Sequence, residues 1–264
     1  MKTRWKIALG VLSILFLMAL YTVVSRVQHA KNPDDTTVPN WTQLAVGVKA
    51  VFTPNPRTQE VWIRDDAKAT GSRLFLGLLY GILGAVVLGV LMGCFAPIEA
   101  LLVPPMSLLA KVPPTAALAV FFVLLRNDSN IYTAMIAFGI LPTMAQSVYL
   151  SVRDVPREMI YKSYTLGASH TEIIWNVILR TILPKLIDSI RLQIGPAMVY
   201  LIAAELLVGD QGFGYRIRRE QRLLNMSIVY PYLAILAAFG FFMDFLLRMI
   251  QRLLCPWHVG KGGE

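Results

Sequence analysis

The sequence predicts an all-α, polytopic membrane protein with about six transmembrane helices, and three observations carry that expectation. Of 264 residues, 56% are hydrophobic and only 16% charged, with a mean hydropathy of +0.57. A water-soluble domain is usually about a quarter charged, so the missing charge implies a solvent other than water. The chain also holds several largely uncharged runs near the ~20 residues needed to cross ~30 Å of hydrocarbon. Finally, the net charge of +9 fits basic loops that meet anionic headgroups and hold the topology. No basic stripe is interleaved with exposed aromatics, so nucleic acid is not expected as a partner.

Lys2, Arg4 and Lys6 precede a first uncharged run from Ile7 to Ser25, which Arg26 ends. The run is long for a signal-peptide core, and the best cleavage candidate, Gln28-His29-Ala30, has a bulky residue where a small one is needed. Residues 1–27 are therefore expected to form an uncleaved transmembrane helix with its basic end in the cytoplasm. A connector follows over residues 28–71, extracytoplasmic or interfacial. Its apolar stretch Trp41 to Phe52 is too short to cross.

Residues 72–254 hold the other five spans, and residues 255–264 form a tail. The second span, Leu74 to Ile98, carries Gly77, Gly81, Gly84, Gly89 and Gly93 at helical spacing, a pattern that lets another backbone approach closely. The third, about Leu101 to Leu125, is interrupted by Pro104-Pro105, Lys111 and Pro113-Pro114. Two readings stay open there: a broken helix lining a cavity, or a kinked helix with Lys111 snorkelling. The fourth span, Ile131 to about Val152, contains Pro142, and the fifth, Leu192 to Val208, contains Pro196, Tyr200 and Glu205. The sixth, Met226 to about Leu254, places Asp244 and Arg248 one turn apart, which suits a structural ion pair. Loop charge does not orient the chain: twelve lysines and arginines fall on each side, with Lys111 inside a span. Only the basic first turn favours a cytoplasmic N-terminus.

Between spans four and five, residues 153–190 read as a helical hairpin outside the membrane. Asp154 is expected to cap a helix with Pro156 in its early turn, ending near Leu166 at Gly167. Ser169 and Glu172 then have the spacing of a capping box. Ile173, Ile174, Val177, Ile178 and Ile182 fall on one face of the second helix, which Pro184 is expected to end. On local grounds this could be a generic interfacial hairpin.

Thr165-Leu166-Gly167-Ala168-Ser169, with Leu183-Pro184 following, resembles the EAA motif of ABC importer permeases, glycine-to-proline spacing included. Three further stretches resemble the branch serving nitrate, sulfonates, taurine and bicarbonate: Arg73 to Gly93, Lys111-Val-Pro-Pro114, and Ala203-Ala-Glu-Leu-Leu207 followed by Gly212-Phe-Gly214. Together they cover roughly residues 58 to 254. One departure stands out: Tyr161, Lys162 and Ser163 occupy the places of the glutamate and two alanines that name the motif.

The resemblance implies a type I importer permease (MetI-like) fold in the bacterial cytoplasmic (inner) membrane, with both termini cytoplasmic. It implies that the turn at Ser163, Tyr164, Leu166, Gly167, Ala168, Ser169 and His170 docks on a cytoplasmic ATPase. The implied partners are a second copy of the chain or a close homologue, two ABC ATPase subunits and an extracytoplasmic solute-binding protein, besides membrane lipid. The chain has no G-x-x-x-x-G-K-[ST] phosphate loop, so ATP and Mg are expected on the ATPase and no cofactor on this chain.

Catalytic residues are not expected either, since no hydrolase or nucleotide-binding fingerprint occurs. His29, His170 and His258 lack partners at metal-ligand spacing, and Cys94 and Cys255 are too few for a disulfide framework. Path or gate candidates are Pro113, Pro114, Thr115, Pro196, Tyr200 and Glu205. For Glu205 a structural hydrogen-bonding role is the competing reading, because a bare carboxylate would repel an anionic solute. Arg216, Arg218, Arg219 and Arg222 read as a solvated loop or a contact for the binding protein. An ion-gradient-driven secondary transporter is the alternative, although no internal repeat is evident.

Overall fold

A computed structural model describes residues 3–33, 35–54, 59–125 and 130–257. Lys2, Arg126 and His258, which entered the charge and ligand arguments above, lie outside the described residues, as does the tail from residue 258 on. Every regular element among the described residues is helical.

Helix α1 spans Thr3–Lys31 and α2 spans Trp41–Phe52. The short apolar stretch thus forms one helix, started by a capping box between Asn40 and Gln43. Helix α3, Trp62–Cys94, begins twelve residues before the expected second span and ends before Ile98, which belongs to α4. Helices α4 (Ala96–Leu109) and α5 (Pro114–Leu125) are bent by 98° at the break between them. The third span is therefore a broken or re-entrant pair. Its break lies at residues 110–113, and Pro104-Pro105 stays inside α4. Pro114 takes the first position of α5, where proline is favoured, and the residue before a proline is pushed out of the α region.

Helix α6, Asn130–Arg153, accommodates a buried Pro142. After α7 (Arg157–Thr165) and a turn, three consecutive segments form one helical run from His170 to Val208: the single turn α8 (His170–Glu172), a π-helical stretch Ile173–Ile178, and α9 (Leu179–Val208). Pro184 does not end this helix. It is buried within it, and its carbonyl accepts from Gln251 Nε2 at 3.0 Å. Proline costs a helix one backbone bond, and packing of neighbouring helices offsets that loss. Asp154 is not the cap of α7 either: Pro156 holds that position, and Asp154 instead accepts from Lys185 Nζ at 2.7 Å. Helices α10 (Phe213–Arg222) and α11 (Met226–Leu254) complete the described chain. Among the described residues, five helices are long and apolar enough to cross a membrane, or six if the bent pair counts as one span.

Two compact units emerge: Met1–Asp66 with Arg216–Ile235, and Ala67–Tyr215 with Leu236–Glu264. Arg216–Ile235, which the sequence placed with the core, groups with the N-terminal segment. In that first unit a buried cluster forms around Asp66, which accepts from Arg216 Nε at 2.9 Å and Tyr232 Oη at 2.6 Å. The Arg216 guanidinium also lies 4.6 Å from the Trp62 ring centroid. Arg216 is thus buried and ion-paired, contrary to the expectation of a solvated loop; a cation leaves water only when a partner such as Asp66 holds it.

The second unit is built on the glycine face of α3. A Cβ on Gly77 would stand 2.6 Å from Ile136, one on Gly81 2.5 Å from Ile140, and one on Gly93 2.5 Å from Val152. At Gly89 the obstacles are Val148 Cβ at 2.6 Å and the Ala145 carbonyl oxygen at 2.7 Å. The glycines therefore bring α3 against α6 at a distance that no side chain permits. Two apolar clusters flank this contact, one centred on Met135, Ile136 and Ile140, the other on Met144, Ala145 and Val148.

Replacing Gly89 by leucine should destabilise the purified protein by about 1–3 kcal/mol or more, because the backbone of α6 blocks the added atoms. Gly10→Leu, where nothing stands within 4 Å, should leave stability unchanged. Thermal unfolding in detergent would measure both, and equal stability of the two variants would contradict the packing described.

Candidate functional sites: an exposed turn and a buried carboxylate

The turn after α7 is closed by backbone bonds alone. Gly167 has φ of +84°, its N–H donates to the Tyr164 carbonyl at 3.0 Å, and the Ala168 N–H donates to the Ser163 carbonyl at 3.1 Å. That pair of bonds is a Schellman motif, whose left-handed residue is ordinarily glycine. Immediately afterwards the Ser169–Glu172 capping box starts the next helix. Two helix ends are therefore satisfied within four residues by local bonds.

Its side chains divide by direction. Ala168, Ile173 and Ile178 belong to an apolar cluster with α3 and α6 residues. Leu166 projects outward at 87% exposure, the most exposed large apolar side chain among the described residues, with Tyr161 and Trp175 also exposed. Tyr164 Oη lies 2.6 Å from His170 Nδ1, and Phe95 packs edge-on against the His170 ring. Tyr161, in the place of the motif glutamate, is a solvent-facing aromatic.

Glu205 sits in the opposite environment, fully buried. Its Oε1 accepts from Arg73 Nη1 at 3.0 Å, Thr70 Oγ1 lies 2.9 and 3.0 Å from its two oxygens, and Oε2 accepts from the Gly214 N–H at 2.9 Å. Arg73 extends the clamp: it donates to the Gln211 carbonyl at 2.8 Å and rests 3.9 Å from the Tyr132 ring centroid. Thr70 Oγ1 accepts from the Phe213 N–H at 2.9 Å. The carboxylate thus meets free amides at the start of α10, where negative charge is favoured. Three glycines make room for it. A Cβ on Gly212, whose φ is +110°, would fall 2.4 Å from Glu205 Oε1, and Cβ atoms on Gly209 and Gly214 would strike Glu205 as well.

Of the path candidates, Pro114 and Tyr200 are brought together: a Cβ on Gly139 would lie 2.4 Å from the Tyr200 ring and 3.2 Å from Pro114 Cγ. Pro113 and Thr115 are exposed at the α4–α5 break, and Pro196 lies one turn before Tyr200 on α9. Glu205 is not with them. Thr70, Arg73 and the glycine loop enclose it, and these bonds fit the structural reading. Asp244 accepts from Arg248 Nε at 2.8 Å and also from Arg191 Nε at 2.9 Å, with Arg191 reaching Asp188 at 2.7 Å. Sequence spacing could find the Asp244–Arg248 pair but not Arg191, 53 residues away. Thr70 and Arg73 went unmatched to Glu205 for the same reason, their separations being 135 and 132 residues. Among the described residues no group of His, Cys, Asp and Glu is arranged to hold a metal.

Five helices long and apolar enough to cross a membrane among the described residues, besides one bent pair, make this a multi-pass membrane protein. Residues 49–254 match the family model described as the binding-protein-dependent transport system inner membrane component, and the chain belongs to that family. It is similar to the taurine transport system permease protein TauC of Escherichia coli K12, 29% identical over 72% of this chain and 69% of that protein. It is also similar to the putative aliphatic sulfonates transport permease protein SsuC of Bacillus subtilis 168, 28% identical over 70% and 67%. Among solved structures, an inward-facing MetNI methionine ABC transporter chain superposes with a TM-score of 0.64 at 18% identity, covering 73% of this chain and 95% of that one. A bacterial importer of the acidic polysaccharide alginate gives 0.64 at 12% identity, covering 94% and 98%. These likenesses show the ABC importer permease fold. The chain is a multi-pass transmembrane permease subunit, and an ion-gradient-driven transporter is not favoured.

Glu205→Ala should destabilise the protein by about 3–5 kcal/mol, since it leaves the Arg73 guanidinium without its buried partner. Thermal unfolding of the purified variant would check this. A variant as stable as the parent would show that the clamp does not hold the α9–α10 loop.

Proposed function

We propose that two copies of this chain form the translocation path of an ATP-driven importer of small sulfonates, with both termini in the cytoplasm. One observation carries the coupling part of this reading: Leu166 stands fully presented at the tip of a turn whose shape is fixed by its own backbone. An apolar side chain on such a rigid point has little entropy to lose on burial, which favours docking into a groove. Residues Ser163 to His170 are that contact. Closure of two ATPase subunits around ATP and Mg pulls the turns of the two copies together, and hydrolysis releases them. The chain itself performs no covalent chemistry; it presents alternately to the two sides of the membrane, and an extracytoplasmic binding protein delivers the solute. Sulfonates are favoured over nitrate and bicarbonate because the taurine and aliphatic sulfonate permeases are among the relatives.

Tagged chain co-expressed with its ATPase should capture that subunit, and Leu166→Glu should abolish capture while the variant elutes as a folded protein. Capture undiminished by Leu166→Glu would place the docking contact elsewhere. Gly167→Ala should weaken capture less, since a non-glycine residue in the left-handed region costs about 1–2 kcal/mol. Liposomes holding the complete transporter should take up taurine or short alkanesulfonates when ATP and loaded binding protein are supplied.

A further inference from the structure

Within the first unit, α1, α2 and the start of α11 frame an open cavity of about 610 Å³. Its walls are one face of α1 between Ile14 and Tyr21, one face of α2 between Trp41 and Val48, and the α11 turn from Tyr230 to Ala234. Almost the whole lining is carbon. Two polar tips among the lining residues are bonded away from it. Tyr21 Oη donates to the Pro39 carbonyl at 2.6 Å, and Trp41 Nε1 donates to Thr22 Oγ1 at 3.1 Å. Aromatic rings close one end, where Tyr21 stands edge-on to Trp41 at 5.5 Å and to Tyr230 at 6.0 Å.

The walls are pinned to one another outside the cavity. Ser25 Oγ donates towards the Val38 and Pro39 carbonyls at 3.3 and 3.2 Å, which ties α1 to the residues leading into α2. Pro231 has no N–H to give the Ser227 carbonyl four residues back. Helix α2 closes on that carbonyl: a Cβ on Gly47 would stand 1.9 Å from the Ser227 oxygen. These contacts hold α2 against both α1 and α11, so the space between them persists.

Ile14 and Tyr21 lie inside the uncharged run Ile7 to Ser25, the part of α1 that hydrocarbon surrounds. Water does not fill such a space, because a buried water needs about two to four polar partners. A helix from a second copy is ~10–12 Å across and needs a groove along the length of α1. This cavity covers about two turns of α1 and stops at the Tyr21 rings. An unbranched hydrocarbon chain meets each condition. It carries no hydrogen-bonding group, it bends to an irregular wall, and small-molecule sites of ~300–1,000 Å³ include this volume.

We propose that the cavity holds one acyl chain of a membrane lipid, and that this chain completes the packing of α1 against α2 and α11. Helix α1 is otherwise open there, with Ile14 61% and Leu17 59% exposed. It also precedes residues 49–254, the part of the chain that matches the family. The lipid thus fastens a helix outside the matched region to one inside it.

The test reconstitutes the full-length chain in vesicles of dioleoyl phosphatidylethanolamine and phosphatidylglycerol, extracts it into mild detergent and counts retained lipid by native mass spectrometry. The parent should keep one phospholipid per chain through washing. Ala45→Phe and Ala234→Phe each place a ring in the cavity and should lower the retained fraction roughly tenfold or more, as small steric changes in an apolar pocket do. Gly10→Phe, at a site with nothing within 4 Å, should retain as much lipid as the parent. A second measurement keeps the wall intact. Photo-leucine in place of Leu44, irradiated in the same vesicles, should give an adduct of phospholipid mass. A covalent dimer there would put a second copy in the cavity and overturn the proposal. A parent that retains no lipid, or equal retention by the parent and both filled variants, would overturn it as well.

Discussion

A carboxylate without access to water must take all its hydrogen bonds from the protein, and at Glu205 that requirement organises the end of α9 and everything bonded to it. Thr70 and Arg73 supply donors from α3, Gly214 supplies one from the start of α10, and glycines at 209, 212 and 214 leave space for the approach. Removal of any member would strand charge or donors in an apolar setting. The network is closed: each bond to the acid comes from the chain itself.

The same constraint explains the glycine face of α3. Apolar side chains gain little by leaving lipid for protein, so helix association in a membrane depends on close van der Waals contact. Five glycines on one stripe provide it, and the bulky residues of α6, Ile136, Ile140, Val148 and Val152, fill the groove they leave. Helix α6, held in this way on one side, is free to present Thr143, Gln146 and Ser147 to α9 and α4.

At the turn after α7 the balance is reversed. The turn from Ser163 to His170 is stabilised by its own backbone and by a capping box, while its buried residues tie it to the helices behind. In the proposed docking, a push on Leu166 would pass through these buried residues to the helices they pack against. Tyr161, in the place of the motif glutamate, is exposed and does not contribute to the turn geometry.

The sequence alone determined the membrane class, the positions of the apolar runs, the packing role of the α3 glycines, the limits of α2, the glycine turn and the capping box. All of these depend on local composition, helical spacing or the conformational freedom of a single residue. It placed the break of the third span near the right prolines but did not distinguish Pro104-Pro105 from Pro113-Pro114. It also stopped a helix at Pro184 that in fact continues, since proline's local penalty is visible in sequence and the packing that offsets it is not. Thr70 is 135 residues from Glu205, Arg191 53 from Asp244, and Asp66 150 from Arg216. Only the tertiary structure could decide whether each charge faced a path, a loop or a partner, because the fate of a charge in a low-dielectric setting depends on what folding brings within about 3 Å of it.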